Sequence, residues 1–177
     1  MRYQIVLTGV GGQGTIFLVK LLAQCALNRG LDFIGTETHG MAQKGGTVIS
    51  YLKIGDFKAP LVGRGRAELL LGLYPTETLR FLYYLKPEGV VVTNVEGEEF
   101  PQLPFKTYTA PASELAVKGE INPKSLNVFM LGYAMAVVKN FPFTKEEVEE
   151  AIYQLNPRFA PPNIEALNKG YSYALNE

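Results

Sequence analysis

Ten residues near the amino terminus predict a strand, a turn and a helix in direct succession. Residues 5 to 14 read IVLTGVGGQG, an apolar run that ends in four glycines within six positions. Apolar residues at helical spacing begin after Thr15, which we place at the N-cap. Glycine lets the backbone approach a ligand closely, and the free N–H groups of a helix start favour an anion. The stretch therefore predicts either a phosphate-binding turn or a tight contact between helix and sheet.

Composition restricts the class of protein before any motif is considered. The 177 residues include 17 basic and 17 acidic side chains, and 47% of them are hydrophobic. This composition predicts a single domain over residues 1–177 with a full core, and argues against a nucleic-acid partner. The single cysteine, Cys25, excludes an internal disulfide and an iron–sulfur cluster held by this chain alone. We expect a cytoplasmic protein without leader or membrane anchor, and a core position for Cys25.

The remaining pattern alternates strands and helices, which predicts a three-layer α/β/α domain with an open, mostly parallel sheet. The segment Ala67–Leu73 is apolar without alternation, as expected for a strand buried on both faces. We expect Pro87 and Gly89 to end a helix and Asn163 to cap one. The apolar helix over residues 126–138 is either central to the core or part of a subunit interface. Strands are predicted over 5–10, 33–38, 47–54, 67–73, 90–94 and 106–109, and helices over 15–29, 75–85, 112–118, 126–138, 145–155 and 164–174.

Several kinds of catalytic chemistry are excluded by the residues that the sequence lacks. His39 is the only histidine, and no nucleophile elbow, P-loop lysine or zinc-protease motif is present. His39 is therefore either a general base beside Glu37 or a structural or interface residue, and we assign no catalytic residue and no metal ligand. Glu37 also follows Gly14 at the spacing at which a dehydrogenase holds the ribose of NAD.

A second glycine motif, residues 39–46, reads HGMAQKGG and lies in a loop too long for a simple hairpin. Together with the first motif it resembles the signature pair of the gamma-type subunit of 2-oxoacid:ferredoxin oxidoreductases, in the form most similar to the indolepyruvate oxidoreductase beta subunit. The resemblance continues through 67–75, 89–94, 127–132 and 163–170. Ala42 and Lys44 depart from the serine and arginine that are frequent in that family, which leaves the 2-oxoacid open.

The resemblance implies a division of labour within a hetero-oligomeric enzyme complex. Thiamine diphosphate, magnesium and 4Fe-4S clusters would lie on catalytic partner subunits, ferredoxin would accept the electrons, and an arylpyruvate would be converted to its acyl-coenzyme A. This chain alone would be inactive, and it would shape the site and contact coenzyme A or the partner. Backbone N–H groups of the first motif would receive a pyrophosphate, and Lys44 would supply a charge. The candidate cofactor-binding residues are Gly9, Gly11, Gly12, Gln13, Gly14, His39, Gly40, Met41, Gln43, Lys44, Gly45 and Gly46.

Two other classes share the first glycine turn. One is a stand-alone NAD-binding regulatory domain that uses Glu37, and the other is an adenylating enzyme of the ubiquitin-activating type. Adenylating enzymes of this type carry an acidic cluster after their second strand, and that cluster is absent from this sequence. If a partner covers the apolar helix and the glycine loop, the isolated chain is expected to expose an apolar patch or to form a homodimer.

Overall fold

The computed structural model describes residues 1–37, 46–97 and 99–176, and within these ranges six strands form one sheet. The strand order is β2-β3-β1-β4-β5-β6. Strand β3 is antiparallel to both of its neighbours, whereas the other five strands point the same way. The predicted open, mostly parallel α/β sheet is therefore confirmed. The strands are β1 (Tyr3–Val10), β2 (Phe33–Glu37), β3 (Thr47–Ile54), β4 (Ala67–Gly72), β5 (Leu85–Asn94) and β6 (Lys106–Ala110).

Helices cover the two faces of the sheet unequally. The thicker layer packs on one face and includes the long helices, whose apolar side chains join those of alternate strand positions in one core. The other face is covered by one short helix, α2, the 3₁₀ turn Leu82–Tyr84 and irregular segments. The described helices are α1 (Thr15–Asn28), α2 (Pro75–Arg80), α3 (Ala112–Val117), α4 (Leu126–Val137), α5 (Lys145–Leu155) and α6 (Ala160–Leu175).

Strands β3 and β4 are buried on both faces. In β4, Leu69 and Leu71 join the core beneath the long helices, and Leu70 joins the core of the opposite face. This agrees with the prediction drawn from its unbroken apolar run. In β3 even Lys53 is buried, and its ammonium donates to the carbonyl oxygens of Ala59 and Leu61 at 2.7 and 3.0 Å. Burial lowers the pKa of Lys53, and the two carbonyls accept from two of its three N–H donors.

Helix α4 is the centre of the core. Of the two predicted alternatives, a central position in the core or a place in a subunit interface, the first is therefore correct. The helix lies between the sheet and α6, and its residues 127 to 135 are all buried. Gly132 and Gly170 lie where α4 and α6 cross, and a Cβ atom on either would meet the backbone of the other helix. Because neither glycine has a side chain, the two helices approach closely enough to exclude any atom between them.

Three predicted element boundaries are wrong, and two of them involve prolines that were read as the end of a helix or a break in the chain. Helix α2 ends at Arg80 and β5 already begins at Leu85, so Pro87 and Gly89 lie inside a strand. The pairing of β5 with β4 is irregular there, so the strand can include a proline, which has no N–H group to donate. Helix α6 begins at Ala160, four residues before the predicted start, because Pro161 and Pro162 fit a first turn that needs no N–H donor.

Asn163 consequently does not cap α6. Its Oδ1 accepts a hydrogen bond from the Ser125 hydroxyl at 3.0 Å, which ties the first turn of α6 to the start of α4. The predicted capping box of α5 is present: Thr144 Oγ1 accepts from the N–H of Glu147, and the Glu147 carboxylate accepts from the N–H of Thr144.

Replacing Glu147 with glutamine should show how much the charge of this capping residue contributes to the free energy of unfolding. The carboxylate also accepts hydrogen bonds from Arg29, which hold its pKa below the usual range. A depressed folded-state pKa stabilises the protein above the unfolded value of about 4.3, and this stability is lost as the pH falls through the folded value. We expect Glu147→Gln to reduce the free energy of unfolding by about 0.5–1 kcal/mol at pH 7. Urea denaturation should show the difference between the two proteins shrinking as the pH falls below the unfolded value of about 4.3, and a constant difference would contradict the electrostatic origin.

Candidate functional site

The first glycine turn joins the end of β1 to an uncapped helix. Gly14 is the N-cap of α1, with φ 89° and ψ 34°, and Thr15 is the first helical residue. The predicted N-cap at Thr15 is therefore wrong, and its buried hydroxyl lies 3.4 Å from Ser50 Oγ instead. Among the described residues no side chain caps α1, and the first turn of this helix holds no acidic residue. Free N–H groups at the start of a 14-residue helix favour an anion.

The side chain of Gln13 holds this turn against the end of β4 through hydrogen bonds. Its Oε1 accepts a hydrogen bond from the N–H of Val10 at 2.7 Å, and its Nε2 donates to the carbonyl oxygen of Leu73 at 3.0 Å. The N–H of Gln13 donates to the Val10 carbonyl oxygen at 3.1 Å. Both ends of the side chain and the backbone donor are thus engaged within the chain. Gln13 therefore fixes the conformation of the turn.

Gly9 and Gly14 make room for side chains of the same chain. A Cβ on Gly9 would lie 2.7 Å from Gln13 Oε1, and one on Gly14 would lie 2.5 Å from Asn127 Nδ2. The Nδ2 group of Asn127 donates a hydrogen bond to the Gly14 carbonyl oxygen at 3.1 Å, which fixes the start of α4 against the turn. The sequence prediction missed Asn127 as a site residue, because it lies 113 positions away from Gly14.

Gly12 differs from these two glycines. It has φ 94°, and a Cβ placed on it would meet no atom of the described residues within 4 Å. Beside it lies a cavity of about 230 Å³ at the carboxyl end of β1. In open α/β sheets ligands bind outside the carboxyl ends of the strands. The cavity is lined by Val10, Gly11, Gly12, Gly14, Thr15, Ile16 and Val48.

The end of the second glycine motif lies directly against the first. The N–H of Gly11 donates to the carbonyl oxygen of Gly46 at 2.6 Å, where β3 begins alongside the end of β1. The segment between Glu37 and Gly46 therefore leaves and rejoins the sheet at the edge that carries the first glycine turn. The candidate residues His39, Gly40, Met41, Gln43, Lys44 and Gly45 fall outside the described residues.

A polar cluster that sequence reasoning missed follows the next strands along this edge. Asn94 is the last residue of β5. Its Nδ2 group donates hydrogen bonds to the Leu73 carbonyl oxygen at 3.1 Å and to Ser113 Oγ at 2.7 Å. The N–H of Ser113 donates back to Asn94 Oδ1 at 3.2 Å. Its sequence signal is a polar residue at the end of an otherwise apolar strand. The cluster holds the ends of β4 and β5 in register with the glycine turn.

Strand order weighs against NAD binding through Glu37. In a dinucleotide-binding fold the second strand lies next to the first, which brings its terminal acid to the ribose. Here β3 separates β2 from β1, so the backbone of Glu37 lies two strand spacings, about 10 Å, from β1. Cys25 is buried in the core as predicted, and burial raises the pKa of its thiol to about 12, so it is not poised as a nucleophile.

Fold and site together define a single α/β domain with a glycine-lined crevice at the carboxyl end of its first strand. The chain belongs to the pyruvate ferredoxin/flavodoxin oxidoreductase family, whose family model matches residues 4–173. This confirms the resemblance to the gamma-type subunits that the two glycine motifs indicated.

Relatives match over almost the full length. The chain is similar to the indolepyruvate oxidoreductase subunit IorB of Archaeoglobus fulgidus, at 33% identity over 99% of this chain and 97% of the relative. IorB of Pyrococcus horikoshii is 34% identical, with 98% and 96% covered. The 2-oxoglutarate synthase subunit KorC of Methanocaldococcus jannaschii is 28% identical, with 98% and 95% covered.

Solved structures support the fold. The gamma subunit of a keto/oxoacid ferredoxin oxidoreductase from Geobacter sulfurreducens superposes with a TM-score of 0.79 at 24% identity, covering 99% of each chain. A 2-oxoglutarate:ferredoxin oxidoreductase from Magnetococcus marinus, with 2-oxoglutarate, coenzyme A and succinyl-CoA bound, gives a TM-score of 0.80 at 19% identity. The match covers 99% of this chain and 31% of that one. The same fold thus also occurs as one part of a longer chain.

The described residues contain neither a candidate membrane span nor a candidate metal site. Across residues 1–37, 46–97 and 99–176 no helix combines the length and apolar character that a membrane span requires. Nor do three histidine, cysteine or acidic side chains of these ranges come together as a metal site.

Proposed function

We propose that this chain is the gamma-type subunit of a thiamine-diphosphate-dependent 2-oxoacid:ferredoxin oxidoreductase. The complex would oxidatively decarboxylate indolepyruvate or another arylpyruvate to its acyl-coenzyme A and pass the electrons to ferredoxin. The observation that carries the proposal is the contact between the two glycine motifs, in which Gly11 donates to Gly46 at 2.6 Å. Identity of 33–34% to two indolepyruvate oxidoreductase subunits supports the choice of substrate.

The lining of the crevice supports a role in binding and positioning. Its described wall consists of glycine backbone, Thr15 and the apolar side chains of Val10, Ile16 and Val48. None of these groups titrates near neutral pH, so this wall supplies no general acid or base. Thiamine diphosphate, magnesium and 4Fe-4S clusters would be held by catalytic partner subunits and would supply decarboxylation and electron transfer.

The donor set of the turn fits the pyrophosphate of coenzyme A. Gly11 and Gln13 donate their N–H groups within the chain, so the donors left for a ligand are those of Gly12 and the first turn of α1. These donors point out of a helix N-terminus without acidic side chains, which favours a multiply charged anion. In this proposal Lys44 supplies a positive charge to the bound anion.

Purification from the native host with a tag on this chain tests the proposal. We expect a cluster-bearing, thiamine-dependent large subunit to be recovered with it and identified by mass. The recovered complex should reduce ferredoxin in the presence of coenzyme A and indolepyruvate, more efficiently than with pyruvate or 2-oxoglutarate. The tagged chain expressed alone should show no such activity. A chain that is recovered alone and binds NAD saturably would overturn the proposal.

A further inference from the structure

The thinly covered face of the sheet carries a surface rich in arginine and aromatic side chains. We call it the α2 ridge and define it by five exposed residues that lie on α2, the following turn and the adjacent segment. Tyr83 is 42% exposed and Leu79 is 36% exposed, although both are large apolar side chains. The ridge consists of Arg64, Arg66, Leu79, Arg80 and Tyr83.

Backbone hydrogen bonds bring the two parts of the ridge together. The N–H groups of Gly65 and Arg66 donate to the carbonyl oxygens of Tyr83 and Tyr84, each at 2.9 Å. The Arg64 guanidinium then lies over the Tyr83 ring, 4.7 Å from its centroid. The Tyr83 ring packs in turn on that of Tyr84, with centroids 4.5 Å apart. The arginine and the aromatic side chains therefore form one continuous, preorganised surface.

The ridge carries positive charge that the described chain does not neutralise. Residues 57 to 86 contain five basic and two acidic side chains, and neither acid is exposed. Glu68 pairs with Lys86, and the buried Glu77 lies 3.9 Å from the Nε of Arg80. Within residues 1–37, 46–97 and 99–176, Arg64 and Arg66 form no ion pair with a carboxylate. Two exposed guanidinium groups are thus left for an external acid.

We propose that the α2 ridge is the surface on which this subunit docks to the catalytic subunit of its complex, through carboxylate side chains of that subunit. Arginine and tyrosine are enriched among residues that dominate binding energy at interfaces, and Arg64 is already held in place by the Tyr83 ring. Guanidinium groups pair with carboxylates through two parallel hydrogen bonds. A second copy of this chain is a poor occupant, because a self-complementary contact would bring the same cations together. This inference rests on the proposed function.

Charge reversal at the ridge tests the docking surface in the assembled complex. We expect Arg64→Glu/Arg66→Glu to weaken the binding of the large subunit at least about tenfold, whereas Arg64→Lys/Arg66→Lys, which keeps the charge but loses the paired hydrogen bonds of the guanidinium, should weaken it less. The matched control is Lys118→Glu/Lys124→Glu, which makes the same charge change at two exposed lysines elsewhere. Affinity would be measured by biolayer interferometry between the purified subunits, with circular dichroism as the check on folding.

Salt dependence gives a second readout on the same variants. Between about 50 and about 500 mM NaCl, wild-type affinity should fall more steeply than that of the Glu double variant. Equal binding by the Glu double variant and the lysine control would overturn the docking surface. Wild-type protein that binds no large subunit would instead overturn the proposed function. Self-association of the wild type that the Glu double variant abolishes would assign the ridge to a second copy and contradict this inference.

Discussion

Alanine at Gly132 or at Gly170 is expected to lower the free energy of unfolding by about 3 kcal/mol. In a helix, glycine to alanine normally stabilises by up to about 1 kcal/mol, so the expected effect has the opposite sign. A Cβ on Gly132 would meet the carbonyl oxygen of Leu167 and lie 2.9 Å from its carbonyl carbon. A Cβ on Gly170 would meet the carbonyl oxygen of Phe129 in the same way. Backbone atoms cannot rotate aside, so α4 and α6 must separate.

The double variant tests whether one displacement of the helices relieves both clashes. If it does, Gly132→Ala/Gly170→Ala should cost clearly less than the sum of the single variants. Ser172→Ala, at an exposed position of the same helix α6, serves as the control and should change stability by less than about 0.5 kcal/mol. Urea denaturation followed by far-ultraviolet circular dichroism measures the four variants and the wild type. Single variants as stable as wild type would show that the helices are not in backbone contact.

Aspartate at Gly12 is expected to raise the KM for coenzyme A about tenfold relative to asparagine at the same position. Both residues tolerate a positive φ better than other side chains do, and a Cβ on Gly12 would meet no atom within 4 Å in the part of the chain that the structure describes. The two variants therefore differ mainly in charge. An added carboxylate stabilises the start of α1 but repels an anion bound there. The KM for the 2-oxoacid should be the same in both variants.

This comparison must be made in the assembled complex, with gel filtration showing that both variants associate with the large subunit. An equal KM for coenzyme A in the two variants would show that coenzyme A does not bind at the first glycine turn. Association that fails in both would show that the turn contacts the partner rather than the coenzyme.

Sequence patterns predicted most elements of this fold because the apolar runs are long and their ends carry glycine, proline or a capping box. They did not predict that β3 would lie between β1 and β2 and run antiparallel to both, because strand order depends on which edges meet in space. The start of α6 was also misplaced, since a proline pair that reads as a break also fits a first helical turn.

The candidate site was predicted in part. Glycine spacing alone located the turn, and the structure separates the roles of its members: Gly9 and Gly14 accommodate Gln13 and Asn127, whereas Gly12 faces open space. Asn94 and Asn127 escaped prediction because their contacts join distant parts of the chain. The hydrogen bond from Gly11 to Gly46 depends likewise on tertiary pairing, which no local pattern encodes.

The antiparallel placement of β3 brings the end of the second glycine motif beside the first. Glu37 is the last residue of β2, and Gly46 directly precedes β3, the strand that pairs with both β2 and β1. The sheet itself therefore fixes where the chain leaves β2 and where it enters β3. Sequence between two fixed strand ends can diverge with little effect on the core, so the scaffold does not depend on the residues that connect them.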